Sequence, residues 1–356
     1  ILAAHKVSKA GDKPMLSGQE SFVLWDTFGF PVDLTELMAE EYGIGVDMEG
    51  FKEAMSAAKE KSRAGGKNKG AAGAGLRFEA EQTAHLRDTL KLAATVDAHK
   101  FSKADVKSEV CAILSSGSNS FVDQAAAGEV VALVVGATSY YAEMGGQVAD
   151  TGTIETSGAT FAVEDAKIAA GYVFHVGKVA KGASVKVGDS CTVRVDYDRR
   201  HKIANNHTCT HLLNLALRNH ISEDVQQKGS LVDDEKLRFD FNNNKPVDAK
   251  RLGKIEKDIQ GDIDRALQVY YKEVSLGDGK AIHGLRAVFG ETYPDPVRVV
   301  SIGKPVDDLL KDPKASDNYG YSIEFCGGTH LDNTKEAAAF AILSEEGVAK
   351  GVRRIA

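Results

Sequence analysis

The sequence predicts an α+β fold with a short helical segment, a small β-barrel and a module that mixes helices and strands. Residues 17–61 have a helical pattern, residues 76–198 contain short β-like runs between turns, and the residues from 199 onward combine both patterns. A chain of 356 residues is long enough for two or three domains, each with its own core.

The helical segment is assigned to residues 1–62. Pro31 and Asp33 indicate a helix start, and glycines interrupt the pattern after them. Residues 63–75 are rich in Gly, Ala and Lys, a composition typical of a flexible linker. In residues 76–198, Gly-containing turns separate short β-like runs, so a small β-barrel or sandwich is expected there. The clearest runs are 130–135, 160–163, 172–176 and 191–195.

Residues 199–356 are assigned to an α+β domain. The run HTCTHLLNLAL at 207–217 lacks Gly and Pro and predicts a buried helix that begins near Asn205 and Asn206. A long amphipathic helix is predicted over 248–272. Strands are predicted at 236–241, 285–289, 297–302 and 321–326, and an apolar end segment at 340–343.

Four residues in two closely spaced pairs predict a zinc site. His207 and His211 lie one helical turn apart, and Cys326 and His330 follow a predicted strand, separated by a Gly-Gly pair that allows a tight turn. Zinc prefers His and Cys ligands, and two such pairs can join distant segments around one ion. Two interpretations stay open: a closed zinc that only stabilises the fold, and a zinc that takes part in catalysis.

The periodicity of the two elements also places the neighbours of these ligands. At about 100° per residue, Thr208 and Thr210 flank the histidine face of the helix, while Cys209 points away from it. On the strand, Glu324 faces the same side as Cys326, because alternate residues share a side. Cys209 is therefore a poor ligand candidate, and Glu324 is expected to face the metal.

The composition is that of a globular protein rather than of a membrane-spanning or disulfide-rich one. Hydrophobic residues make up 43% of the chain and charged residues 27%, which is typical of globular proteins. No apolar run approaches the ~20 residues that span a bilayer, and no signal-peptide pattern opens the chain. Four cysteines do not make a disulfide framework, so a reducing compartment is expected. A net charge of −7 argues against nonspecific coating of nucleic acid, but clusters of Lys and Arg leave a local phosphate-binding surface open.

Seven motifs follow one another along the chain. They are LWDTFGFPVDLT at 24–35, YAEMGGQ at 141–147, NHTCTH at 206–211, QKGSLV at 227–232, LRFDF at 237–241, TYPDPVRVVSIG at 292–303 and EFCGGTH at 324–330. In this order, and along nearly the whole chain, they resemble the alanyl-tRNA synthetase family, several of them most closely its eukaryotic type. Cys209 stands where many relatives have Ala, and Met144 occupies a variable position.

The resemblance implies that the chain is a middle piece of such an enzyme: the end of its tRNA-recognition helices, then its β-barrel and its zinc-dependent editing domain. It implies hydrolysis of mischarged Ser-tRNA(Ala) and Gly-tRNA(Ala), with tRNA(Ala) as partner. One Zn²⁺ would be held by His207, His211, Cys326 and His330. The ATP-binding aminoacylation core and the C-terminal dimerisation region are expected to lie outside this piece, which is therefore expected to be monomeric. The expected location is the cytoplasm, or an organelle for the parent enzyme.

Further residues are candidates for the editing pocket. Thr208 and Thr210 would recognise the seryl hydroxyl, or would only pack and bond to the preceding turn. Gln147 ends a Gly-Gly turn and would contact the pocket, or would be an exposed turn residue. Glu324 would bind the aminoacyl ammonium group or position water, or would hold a zinc histidine. Weaker candidates are Asp240 and Lys228.

A second class of function also stays open. In that interpretation the chain binds the tRNA acceptor stem through its helical segment and its clusters of Lys and Arg, and the zinc is purely structural.

Overall fold

The computed structural model describes residues 14–26, 32–55, 75–288 and 291–356. Pro31 and the predicted linker, except for Gly75, lie outside these ranges. The chain divides into two compact units: Ile1–Gly70 with Asn243–Pro246 and Glu346–Arg353, and Ala71–Asn242 with Val247–Glu345 and Arg354–Ala356. Among the described residues, no helix has both the length and the apolar character that a membrane span needs.

In the first unit, β1 (Met15–Leu16) pairs in parallel with β2 (Gly45–Val46). Its helices are α1 (Gly18–Asp26), α2 (Val32–Glu41) and α3 (48–55). Ser17 and Glu20 close the start of α1, because the Glu20 carboxylate accepts from Ser17 N and Ser17 Oγ accepts from Glu20 N. These helices agree with the helical pattern of residues 17–61 where the structure describes them.

The second unit contains a small closed β-barrel. Its strands are β3 (Val106–Ser115), β4 (Phe121–Val122), β5 (Gln124–Ala126), β6 (Val130–Val135), β7 (Gly152–Thr156), β8 (Ala159–Ala169), β9 (Tyr172–Gly182), β10 (Ser184–Lys186) and β11 (Ser190–Val195). Antiparallel pairing runs in the order β11, β7, β8, β9, β6, β3, and β3 then pairs with β11 to close the ring. The four predicted β-like runs all lie inside these strands.

Strand β6 shows why its run is apolar throughout. Val131, Leu133 and Val135 belong to the barrel core, whereas Ala132 and Val134 belong to a second apolar cluster. The second cluster includes Leu86, from the π-helical turn His85–Thr89 that follows α4 (Ala80–Ala84). Both faces of the strand are therefore buried, which removes the usual alternation with polar residues.

The same unit continues into the α+β module. Its helices are α5 (Tyr197–His220), α6 (Ala249–Asp264), α7 (Leu276–Ala281) and α8 (Val306–Lys311). Its strands are β12 (Gln227–Val232), β13 (Leu237–Asn242), β14 (Val269–Val274), β15 (Val297–Ile302) and β16 (Ser322–Phe325). Two further strands, β17 (Glu345–Ala349) and β18 (Val352–Ile355), overlap with the stretch Glu346–Arg353 that belongs to the first unit. Strands β14, β15 and β16 form an antiparallel sheet in that order, and β12 pairs with β13.

Two predicted helices have different limits in the structure. Helix α5 begins at Tyr197 rather than near Asn205, because Asp196 caps it by accepting a hydrogen bond from Arg199 N. Helix α6 ends at Asp264, well before residue 272. Ala266 has a φ of 52°, which breaks the helix, and the β-branched and aromatic residues that follow form β14.

The predicted strand at 285–289 is wrong for its described part. Residues 285–288 form no strand, and only an isolated bridge joins Arg286 to Glu324. The end segment 340–343 has no regular structure, but Phe340 and Ile342 pack against the core of the module. The strand predicted at 321–326 is confirmed as β16.

A buried ion pair joins α5 to the barrel. Arg200 and Asp150 are 6% and 1% exposed, and Arg200 Nε lies 3.1 Å from both oxygens of the Asp150 carboxylate. The Arg200 guanidinium also donates to the carbonyls of Lys100 and Ser139. This pair holds the helix that carries His207 and His211 in a fixed position on the barrel.

Candidate metal centre

The four predicted ligands meet in space. His207 and His211 lie on α5, while Cys326 and His330 lie in the loop that follows β16. Their ligand atoms all lie within 4.8 Å of one another. His207 Nε2 lies 3.4 Å from Cys326 Sγ, and His330 Nε2 lies 3.3 Å from the same sulfur. Ligand atoms around tetrahedral zinc are about 3.3–3.8 Å apart, since zinc binds nitrogen at about 2.0–2.1 Å and sulfur at about 2.3 Å.

The protonation of the cluster also suits a metal. Burial lowers the pKa of His211 to about 3, and burial together with neighbouring histidines lowers the pKa of His207 and His330, so all three imidazoles are neutral. His211 Nδ1 is buried and has no hydrogen-bond partner among the described residues. Burial raises the pKa of the Cys326 thiol to about 12, and a bound cation would offset this by stabilising the thiolate. The donor set therefore fits zinc.

Gly328 lets the ligand loop approach α5. A Cβ atom at this position would lie 2.1 Å from His207 Cε1 and 2.8 Å from Gln147 Oε1. No larger residue fits without displacing a ligand. The Gly-Gly pair therefore has a steric role in addition to forming a turn.

Gln147 orients His207. Gln147 is fully buried, so it is not an exposed turn residue. His207 Nδ1 lies 2.7 Å from Gln147 Oε1 and must donate, because this oxygen only accepts. The other ring nitrogen, Nε2, is then free to bind a metal ion. Thr329 N also donates to Gln147 Oε1, and Gln147 Nε2 donates to Thr329 Oγ1.

The two helix threonines have different surroundings. Thr208 is fully buried, and its hydroxyl lies 3.2 Å from His330 Nδ1 and accepts from Leu331 N. Thr210 donates to Asn206 O in the preceding turn at 2.8 Å and lines the adjacent cavity. Cys209 packs in the apolar core of the module, away from the ligands as predicted.

A cavity of about 650 Å³ lies beside the cluster, and its lining includes His211, Asn214 and Glu324. Glu324 Oε1 accepts from Asn214 Nδ2 at 3.0 Å, and Glu324 Oε2 lies 3.7 Å from His211 Nε2. Burial raises the pKa of Glu324 to about 7. Glu324 thus faces the side predicted from strand alternation. Asn214 was not among the predicted site residues, although it lies three residues after His211 on α5.

Comparison with known proteins is consistent with this geometry. Residues 2–199 match the family model described as "tRNA synthetases class II (A)". Residues 297–356, which include Cys326 and His330, match "Threonyl and Alanyl tRNA synthetase second additional domain". The chain belongs to the alanyl-tRNA synthetase family.

Members of the alanyl-tRNA synthetase family from distant organisms match along almost the whole chain. The mitochondrial alanine–tRNA ligase of Saccharomyces cerevisiae is 45% identical over 99% of this chain, and the cytoplasmic enzyme of Dictyostelium discoideum is 41% identical over 100%. The enzyme of Jannaschia sp. is 39% identical over 99%. The chain spans only 35%, 37% and 38% of the lengths of these relatives.

Arg298 also supports the cluster, although it was not among the predicted site residues. Arg298 Nη1 donates to Cys326 O at 3.0 Å and to Gly328 O at 2.9 Å, so it holds the ligand loop. The Arg298 guanidinium lies 4.2 Å from the ring centroid of Phe101 and 4.6 Å from that of Tyr271. Its signal in the sequence was a single charge inside the apolar run of β15.

The two weaker candidates differ in position. Asp240 is 8% exposed and accepts from Arg354 Nε and Nη2 at 2.7 and 2.9 Å, so it neither faces solvent nor lines the cavity. Lys228 does line the cavity.

Proposed function

We propose that this chain is the editing part of an alanyl-tRNA synthetase and that it hydrolyses mischarged Ser-tRNA(Ala) and Gly-tRNA(Ala). The observation that carries the proposal is the His and Cys cluster beside a cavity of about 650 Å³. An alanine pocket excludes glycine poorly and rejects an added hydroxyl by only a modest factor, so a second, differently selective site is needed. The proposed partner is tRNA(Ala).

The proposed cofactor is one zinc ion held by His207, His211, Cys326 and His330. When bound, zinc supplies a Lewis acid that polarises a carbonyl group or activates water, provided that a coordination position is open.

The residues around the cluster would orient the zinc ligands and contact the substrate. Gln147 fixes the tautomer of His207, and Thr208 contacts His330. Thr210 lines the cavity and its oxygen can still accept a hydrogen bond, so it is the better placed of the two threonines to meet a seryl hydroxyl. Glu324 offers a carboxylate to the polar part of the substrate.

The proposal is tested by the release of serine from Ser-tRNA(Ala) by the purified chain, with Ala-tRNA(Ala) as control. Hydrolysis of the seryl ester with sparing of the alanyl ester is expected. Equal rates on both esters, or no release above buffer, would refute an editing activity.

A binding module is the alternative function, because four protein ligands can saturate zinc in a closed structural site. That function gives tRNA binding without serine release. Binding and hydrolysis measured on one preparation separate the two.

A further inference from the structure

Two aromatic rings contact the guanidinium of Arg298 beside the cavity. The guanidinium carbon lies 4.2 Å from the ring centroid of Phe101 and 4.6 Å from that of Tyr271. We call these three residues the aromatic cluster. Phe101 and Arg298 line the cavity. Arg298 Nη1 also donates to the carbonyl oxygens of Cys326 and Gly328, so a single guanidinium group joins Tyr271 to the loop that carries the second pair of predicted ligands.

Tyr271 presents part of its ring to solvent. Its strand β14 pairs with β15, and the register aligns Tyr271 with Val300 and Val300 with Glu324 of β16. Residues directly opposite one another share a face of the sheet, so Tyr271 lies on the same face as Glu324, which lines the cavity. Tyr271 is nevertheless 54% exposed, and its hydroxyl makes no hydrogen bond to the part of the chain that the structure describes. A tyrosine ring in contact with a guanidinium therefore stands open beside the cavity.

The charges around the aromatic cluster favour a ligand that is both planar and anionic. Lys100 Nζ lies 5.4 Å from the ring centroid of Phe101, and Lys100 lines the cavity. Lys100 pairs with Asp97, whereas Arg298 has no carboxylate within 4.0 Å in the described ranges. Exposed aromatic rings beside cations bind single-stranded nucleic acid, because the rings stack on the bases and the cations neutralise the phosphates. An apolar peptide would cover the Tyr271 ring but would leave the Arg298 charge without a counter-ion.

We infer that Tyr271 stacks on the unpaired terminal nucleobase of a tRNA whose ester lies at the His and Cys cluster. This inference rests on the proposed function and names the substrate class of that site: aminoacyl esters of a nucleotide that carries its base. One ribose ring separates the terminal base from the ester, and one guanidinium group separates the Tyr271 ring from the ligand loop, so the two spans are comparable. Every base has a face that can stack, so the aromatic cluster recognises the presence of a base rather than its identity.

The fluorescence of a base analogue tests the inference. The probe is a seryl nucleoside in which an amide replaces the 3′ ester, to prevent hydrolysis, and 2-aminopurine replaces the base. Stacking on an aromatic ring quenches 2-aminopurine, so binding to the purified chain should lower its fluorescence. Tyr271→Leu should remove most of this quenching and weaken binding at least about fivefold, as expected for loss of one stacked base. Tyr271→Phe keeps the ring and should keep both the quenching and the affinity.

Tyr319→Leu is the matched control. Tyr319 also contacts a guanidinium, that of Arg218 at 4.9 Å, and is 37% exposed, but neither residue lines the cavity. This variant should quench the probe as the wild type does. Equal quenching by the wild type and Tyr271→Leu would overturn the inference, and so would a Tyr271→Phe variant that behaves like Tyr271→Leu.

Serine release from Ser-tRNA(Ala) by the same wild-type preparation separates the inference from the proposed function. Hydrolysis combined with quenching that does not depend on Tyr271 contradicts the inference alone. Quenching that depends on Tyr271, without hydrolysis, contradicts the proposed function alone. A probe that does not bind, or that binds without quenching, overturns the inference whatever the hydrolysis result.

Discussion

At the scale of single residues, Gln147 decides which nitrogen of His207 faces the proposed metal position. Its amide oxygen accepts from His207 Nδ1 at 2.7 Å inside a fully buried site. Partners of this kind fix the orientation of a ligand and raise its basicity.

Gln147→Leu should therefore weaken zinc binding about 10- to 100-fold, because His207 loses the acceptor that fixes its tautomer. Competition with a zinc chelator measures the affinity. Gln124→Leu, an exposed position on β5, is the control and should bind zinc as the wild type does. An unchanged affinity in the Gln147 variant would show that the contact does not support the metal.

The two helix threonines should separate in their effects. Thr210→Val should slow hydrolysis of Ser-tRNA(Ala), spare Gly-tRNA(Ala) and relax rejection of Ala-tRNA(Ala), by about 1–3 kcal/mol of discrimination. Thr208→Val should lower all rates together, because its hydroxyl contacts the ligand His330 rather than the cavity. The three rates are compared at equal zinc content. An unchanged ratio of rates in Thr210→Val would contradict this assignment of serine recognition.

Residue-level prediction from the sequence succeeded where local periodicity decides the direction of a side chain. Cys209 points into the core and Glu324 faces the cavity, as one turn of helix and one alternation of strand require. The sequence could not predict the hydrogen bond between His207 and Gln147 or the one that Asn214 donates to Glu324, because each depends on packing between segments far apart in the chain.

At the scale of elements, α5 connects the barrel to the His and Cys cluster. The helix was predicted to begin several residues after its actual first residue, because the leucine pattern is confined to the segment of the helix that packs in the core. The actual start is set by the cap at Asp196 and by the buried contact of Arg200 with Asp150, which no local pattern reveals. The limits of α6 were missed for a similar reason, since a pattern of apolar residues continues into β14.

Arg200→Ala should cost about 3–5 kcal/mol in the free energy of unfolding, because it leaves the Asp150 carboxylate buried without its cation. Urea unfolding of the second unit measures this cost. Arg87→Ala, which breaks an exposed pair with Asp88, should cause no measurable change. Equal stability of the two variants would mean that the buried pair does not hold α5.

Strand β9 carries a histidine that links stability to pH. His175 is fully buried, with Nε2 at 2.7 Å from Thr138 Oγ1 and Nδ1 at 3.0 Å from Leu133 O. Burial lowers its pKa from 6.5 to about 4, so the folded protein holds it neutral while the unfolded chain gains a proton. Stability from this group is complete above pH 6.5 and falls as the pH drops toward 4.

The difference in unfolding free energy between the wild type and His175→Gln should therefore shrink by about 3 kcal/mol between pH 7 and pH 4. Urea titrations at several pH values measure it. Parallel stability curves for the two proteins would show that His175 does not contribute.

At the scale of the whole molecule, the candidate site draws on both the barrel and the α+β module of the second unit. Gln147 follows strand β6 of the barrel, the two histidines of the first pair lie on α5, and the second pair follows β16. A site assembled from distant segments forms only when the whole unit is folded. Unfolding of the unit is therefore expected to remove the cluster, the cavity and the proposed hydrolytic activity together.

Serine release from Ser-tRNA(Ala) before and after removal of the metal tests this account most directly. The purified chain should carry one zinc ion and release serine. Chelation should abolish both the metal and the release, and added zinc should restore them, while Cys326→Ala should remain inactive with zinc present. A zinc-free chain that keeps its fold and hydrolyses Ser-tRNA(Ala) at the rate of the untreated protein would contradict the account.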